Sequence, residues 1–201
     1  MDIWFATNNK HKKIELEAIL NTKLKIPSEE GINFDPEETA HTFSENALIK
    51  ARELKKLLSN SDDIVIADDS GLCVDALDGR PGVYSARYGE LNGKKPSNEE
   101  QHTLLLDELG DNPLRSARFV CAMVLLHDHN RFTVVQEITE GQIVKKSEKR
   151  GEGGFGYDPI FLFPKRGLTL AELSSEEKNA ISHRGKAGRQ IAELLRKTII
   201  E

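Results

Sequence analysis

Residues 64–71 read Ile-Val-Ile-Ala-Asp-Asp-Ser-Gly. Four small or β-branched apolar residues run straight into two adjacent carboxylates. The apolar run predicts a buried strand, and Gly71 lets the chain turn just beyond it. Two acids at the end of a buried strand are costly unless cations or donors compensate them. Such a placement is also how an α/β fold presents a hard metal ion to a substrate. Adjacent strand residues point to opposite faces, so only one of Asp68 and Asp69 is expected to face such a site. The alternative is an acidic turn after an edge strand, and the rest of the chain has to decide.

The bulk properties narrow the choice. A chain of 201 residues can form one large domain, or one domain with two lobes, around a real core. With 38% hydrophobic and 30% charged residues it reads as soluble and ordered. A net charge of -5 argues against a general nucleic-acid binder and leaves room for a local basic pocket. Cys73 and Cys121 both sit in apolar runs and read as buried thiols of a reducing compartment, not as a disulfide or zinc framework. The N-terminus lacks a signal-peptide pattern, and no segment reaches the ~18 apolar residues of a membrane span. The expected location is the cytoplasm, with no membrane partner.

Along the chain, Ile3 to Ala6 predict a first strand, followed by the polar loop Thr7-Asn8-Asn9-Lys10-His11-Lys12 and a helix with Ile14, Ala18, Ile19 and Leu20 on its apolar face. A loop at a helix start offers unpaired N–H groups and a favourable dipole to phosphate, and the lysines add charge. No Gly-rich Walker pattern is present. Residues 21–41 read as loop and include the pair Glu37-Glu38. Thr42 and Glu45 form a capping-box pattern for a helix running to about Ser59. Lys50 lies near the edge of its apolar stripe, where a lysine usually snorkels. Residues 78–87 are turn-rich and end at Arg87. Ser97 and Glu100 cap a further helix, closed by Gly110. Residues 117–126 predict a central strand and 132–138 its hairpin partner. His127 and His129 flank the turn and read as surface residues.

Residues 151–159 form the most glycine-dense stretch. The apolar run after Pro159 points to a strand, so this is not a dinucleotide fingerprint. Glycines allow close backbone approach, and Phe155 or Tyr157 could stack on a flat base; the alternative is a structural turn. Ser174 caps a short helix carrying Lys178, and Ser182-His183-Arg184 opens the last helix, with Ile191, Leu194 and Leu195 inward. Strands and helices are mixed, with at least one antiparallel pair, so the fold class is α/β with a mixed sheet. A carboxylate pair, a separate Glu, lysines at helix starts and a Gly-aromatic loop together call for a nucleoside triphosphate with Mg²⁺. No Ser-His-Asp or Cys-His constellation argues for a covalent nucleophile, so metal-assisted attack of water on phosphorus is the natural chemistry.

Five blocks give the chain a wider likeness: Thr7-x-Asn9-x-x-Lys12, residues 67–72, 81–87, 153–159 and 177–185. In this order they closely resemble the Ham1-like inosine triphosphate pyrophosphatase family. The resemblance implies a single domain over 1–201, elongated, with two lobes around a long mixed sheet and the active site in the cleft. It also implies hydrolysis of ITP, dITP and XTP to monophosphate and pyrophosphate with Mg²⁺, and a homodimer. Asp69 matches the family's general base and metal ligand, with Asp68 beside it, and Glu38 its second metal-associated acid. The loop Thr7, Asn8, Asn9, Lys10, His11, Lys12 would hold the triphosphate. Lys50, Ser70, Phe155, Gly156, Tyr157, Asp158, Lys178, His183 and Arg184 fall on substrate-contacting positions, and Arg87 is a further candidate. In this picture Phe155 or Tyr157 stacks on the purine. Lys178, His183 and Arg184 donate to its 6-keto oxygen, where adenine carries an amino donor instead. The competing readings are a non-catalytic nucleotide sensor, a metal-dependent phosphodiesterase or nuclease, and a pyrophosphatase for other damaged nucleotides.

Overall fold

The computed structural model describes residues 1–128 and 130–200. His129 lies outside the described residues. The elements are β1 (Ile3–Phe5), α1 (Lys10–Leu20), α2 (Phe43–Leu57), β2 (Ile64–Val74), α3 (Asn98–Leu109), β3 (Ser116–Leu126), β4 (Phe132–Ile143), β5 (Phe161–Phe163), β6 (Leu168–Thr169), α4 (Ser175–Ile181) and α5 (His183–Ile200). Among the described residues the strands form one six-stranded sheet in the order β1-β2-β3-β4-β5-β6. β1 runs parallel to β2, with Trp4 opposite Val65. β4, β5 and β6 are successively antiparallel. β3 and β4 are neighbours joined by a five-residue connection, too short for a parallel crossover, so they form the expected hairpin. The sheet is mixed and flanked by helices, as expected of an α/β chain.

The caps read from sequence hold. Thr42 Oγ1 accepts from the Glu45 N–H, and Ser97 with Glu100 and Ser174 with Glu177 close full capping boxes. Two expectations do not hold. β2 does not stop at the acids: it continues through Gly71 to Val74, because Leu72 and Val74 are themselves fully buried and carry the strand on. In α1, Ile14 is 64% exposed and the buried residue is Leu16. The helix presents Leu16 and Ile19 to Gly188 of α5, where an added Cβ would come within 2.8 Å of Ile19 and 3.2 Å of Leu16. The two helices are therefore in close contact, and that contact chooses the buried face.

The chain divides into two compact units, one of residues 1–69, 121–137 and 183–201, the other of residues 70–120 and 138–182. In the first unit the period of 2 along the strands separates two cores. Ile64 and Ile66 pack with Cys121, Met123 and Leu125 and with Leu16, Ala187 and Ile191 of α1 and α5. Val65 and Ala67 pack with Val124 and Leu126 and with Ala47, Ala51 and Leu54 of α2. In the second unit Leu72, Val74, Ala117, Phe119 and Phe161 pack with Leu105, Leu106 and Leu109 of α3. Among the described residues no helix is long and apolar enough to cross a membrane.

Candidate active site

The alternation that sorts the first unit's cores also sorts its two acids. Asp68 continues the face of Ile64 and Ile66, toward α1 and α5; Asp69 continues the face of Val65 and Ala67, toward α2. Asp68 is accordingly met by Lys12 of α1, with Nζ 2.9 Å from Oδ1, and by Arg184 of α5, with Nε and Nη2 3.2 and 3.0 Å from Oδ2. Burial pushes the Asp68 carboxyl up, but Lys12, Arg184 and Lys50 outweigh it and hold it well below the usual carboxylate range. Arg184 is 2% exposed and its Nη1 donates to Glu15 at 2.7 Å, so its guanidinium is engaged on both sides. Of the cations expected to donate to a base, Arg184 is fastened to Asp68 and Glu15.

Asp69 has a different environment. Its Oδ1 accepts from Lys50 Nζ at 2.9 Å and its Oδ2 from Asn46 Nδ2 at 3.4 Å. Burial is the largest influence and raises its pKa; the Glu38 charge adds to this, and Lys50 and Lys12 oppose without reversing it. Lys50 does not snorkel as its stripe-edge position suggests. It is buried, and also donates to Glu38 Oε1 at 2.7 Å, because two carboxylates converge on it. Those carboxylates, with Asp68, raise its pKa over the opposing effect of burial. Glu38 is half-buried and Glu37 exposed, so the structure distinguishes the two adjacent acids.

Glu38 and Asp69 converge on one ammonium, that of Lys50, at 2.7 and 2.9 Å. Among the described residues no three His, Cys, Asp or Glu side chains form a cage. Two hard carboxylates without a cage suit Mg²⁺, which keeps waters and completes its shell with substrate phosphate.

The loop before α1 is more occupied than a bare helix start. Asn9 Oδ1 accepts from the backbone N–H of His11 and Lys12 at 2.9 and 3.2 Å, Thr7 Oγ1 accepts from Asn9 N–H at 3.1 Å, and Asn8 Nδ2 donates to Phe34 O at 2.7 Å. The expected unpaired donors of His11 and Lys12 are therefore capped from within. Lys10 and His11 are exposed, Thr7 is half-buried, and His183 is buried as the first residue of α5. Ser70, half-buried, follows Asp69 in β2.

In the second unit Phe155, Asp158 and Lys178 form one cluster. Asp158 Oδ2 accepts from Phe155 N–H at 2.8 Å and from Lys178 Nζ at 2.7 Å, and that Nζ stands 4.7 Å from the Phe155 ring centroid. Gly154 is held at φ +70, and any Cβ there would collide with the Asp158 carboxylate. Tyr157 departs from expectation. It is 4% exposed, part of the apolar core, and its OH donates to Ser85 O at 3.0 Å. Its ring is core, whereas Phe155 is half-buried. Arg87 stands 5.1 Å from the Tyr84 ring centroid, in a concavity with Arg80, Tyr84 and Tyr88.

Sequence reasoning missed Glu15 and Asn46. Both carry a signal that could have found them: Glu15 lies one helical turn from Lys12, and Asn46 one turn before Lys50, each on the same helix face as that lysine. Cys73 and Cys121 are free and buried, as expected. Burial, then the Asp68 charge, pushes the Cys121 thiol up to about 12.

Comparison with known proteins places the chain in a family. The Ham1 family model matches residues 3–194. A dITP/XTP pyrophosphatase of Treponema denticola is 52% identical over 188 residues, covering 93% of this chain and 94% of that protein. One of Bacillus subtilis is 43% identical over 195 residues, 94% of each chain. The solved Ham1 protein of Staphylococcus aureus superposes with a TM-score of 0.85 at 40% identity, covering 98% of this chain and all of that one. The chain belongs to the Ham1 family.

Proposed function

We propose that this chain is a nucleoside-triphosphate pyrophosphatase that hydrolyses dITP, ITP and XTP to the monophosphate and pyrophosphate, clearing them from the nucleotide pool. The observation that carries this reading is the divergence of two adjacent buried carboxylates. Asp68 is fixed between Lys12 and Arg184, which lower its pKa, while Asp69 turns to Lys50 and Asn46 and has its pKa raised by burial. Carboxyl groups whose pKa values are driven apart mark a division of acid–base labour. The dITP/XTP pyrophosphatases among its relatives support the substrate class.

Glu38 and Asp69 are the residues that would hold Mg²⁺. When bound there it would neutralise phosphate charge and polarise the reacting phosphoryl group. The chain's own residues do the rest. Asp69 takes a proton from a water whose oxygen bonds to the α-phosphorus. The bond from that phosphorus to the bridging oxygen breaks, and pyrophosphate leaves with its electron pair. Lys12, kept in place by Asp68, meets the departing charge. Arg184 keeps Asp68 anionic and so acts behind Lys12. Phe155 supplies a stacking face for the purine. Lys178 and His183 serve as donors to a 6-keto oxygen, which adenine lacks.

The family match runs across both units, which supports one domain over 1–201. A homodimer working in the cytoplasm belongs to the same proposal; two buried free thiols suit a reducing compartment. The test is pyrophosphate release from dITP, ITP, XTP, GTP and ATP, with Mg²⁺ or a chelator. The expected result is pyrophosphate and monophosphate from dITP, ITP and XTP, lost on chelation. Orthophosphate as first product would place the attack at the γ-phosphorus and overturn the mechanism.

A further inference from the structure

The loop that carries Phe155 and Asp158 is tied down by a residue outside the recognisable motifs. His102 of α3 is 4% exposed, and its Nε2 lies 2.7 Å from the Gly156 carbonyl oxygen. A carbonyl only accepts, so Nε2 carries the hydrogen. The same ring leans on Tyr157, with centroids 5.9 Å apart and planes 55° apart. Gly156 sits at φ +59, a left-handed conformation that aims its carbonyl at α3. On either side of it, the Phe155 N–H and the Lys178 ammonium converge on the Asp158 carboxylate. A core histidine bonded to a helix or strand carbonyl would affect stability alone. Here the acceptor is the residue between the stacking ring and the buried carboxylate.

We infer that His102 is a positioning residue for base recognition, setting through Gly156 the placement of Phe155 and of the Asp158–Lys178 pair. The inference rests on the reading of that cluster as the base end of the substrate site. It assigns His102 to nucleotide affinity and base selectivity, not to the chemical step. The ring is suited to this as a fixed neutral donor. Burial lowers its pKa and Lys149 adds to that, against the Gly156 carbonyl, Glu99 and Asp158. The Glu99 carboxylate, 3.8 Å from Nδ1, is itself bound by Lys149.

The experiment compares wild type, His102→Leu and His102→Gln; glutamine can place an N–H near the position of Nε2. Loss of one hydrogen bond of ordinary net strength should raise KM for dITP about five-fold in His102→Leu, with kcat within about two-fold of wild type. The preference for dITP over dATP should fall with it, and His102→Gln should recover most of both. A second readout needs no turnover: amide hydrogen exchange over residues 153–158 should quicken in His102→Leu and slow again in His102→Gln. A wild-type KM and unchanged exchange in His102→Leu would overturn the positioning role. Equal losses in both variants would reduce His102 to core packing and overturn it too. A wild type that does not turn over dITP is a different result, because it sinks the functional reading itself.

Discussion

Asp68 and Asp69 are neighbours in sequence with different surroundings, and the same substitution separates them. Asp69→Asn removes the proposed base, so kcat should fall by roughly 10²–10⁴-fold. Stability should fall less than in Asp68→Asn, because the Lys50 ammonium that pairs with Asp69 keeps Glu38 as a second partner. Asp68→Asn leaves Lys12 and Arg184 facing a neutral group inside the protein. Breaking a buried ion pair typically costs about 3–5 kcal/mol, and the loss should appear as a lower urea midpoint. Steady-state kinetics and urea denaturation of both variants check this. A kinetically normal Asp69→Asn would end the assignment. At this scale much was legible: the acids, Lys12, Phe155 and Lys178 stand out as residue types in telling places. The partners were not. Arg184 reads as a donor at a helix start, and only the fold reveals Asp68 and Glu15 around its guanidinium. Tyr157 reads as a base platform, and only the fold puts its ring in the core and its hydroxyl on Ser85.

The elements position these residues through a few close contacts. α1 supplies Lys12 and α5 supplies Arg184, and the two helices meet where Gly188 faces Leu16 and Ile19. Gly188→Val should force them apart and cost about 1–3 kcal/mol, as overpacking does. It should also weaken the grip of Lys12 and Arg184 on Asp68, so activity should fall although no site residue is changed. Thermal unfolding and dITP turnover measured together test this; unchanged values for both would show that the helix contact is not tight. The helix caps were readable because Ser or Thr three residues before Glu is a local signal. The apolar face of α1 was not, because eleven residues with Ile14, Leu16, Ala18, Ile19 and Leu20 allow more than one inward face, and α5 makes the choice. The extent of β2 was hidden for a similar reason: Asp-Asp-Ser-Gly looks like a strand end until Lys12, Arg184 and Lys50 compensate the acids in place.

For the whole molecule, the acidic cluster predicts how stability depends on pH. The folded pKa of Asp68 lies below its unfolded value of about 3.9. Its contribution is therefore complete above about pH 4 and is lost as pH falls through the folded value. Asp69 has the opposite sign: its folded pKa is raised, so protonation favours the native state as pH falls toward the unfolded value. Urea denaturation between pH 7 and 3 should show a steep loss below about pH 4 in wild type and a shallower one in Asp68→Asn. Parallel curves for the two proteins would contradict the ion-pair assignment.

The sequence by itself determined the α/β class, the helix caps, the buried thiols, the family and the residue types of the site. These follow from local patterning, which a chain carries wherever it folds. Tertiary structure decided how the acids are divided. Alternation along β2 sends Asp68 toward α1 and α5 and Asp69 toward α2. Only once those helices are docked does one carboxyl sit between Lys12 and Arg184 and the other beside Lys50 and Asn46. Charge compensation and desolvation depend on distances between residues far apart in the chain, such as Asp68 and Arg184, 116 positions apart. No local pattern encodes such a distance.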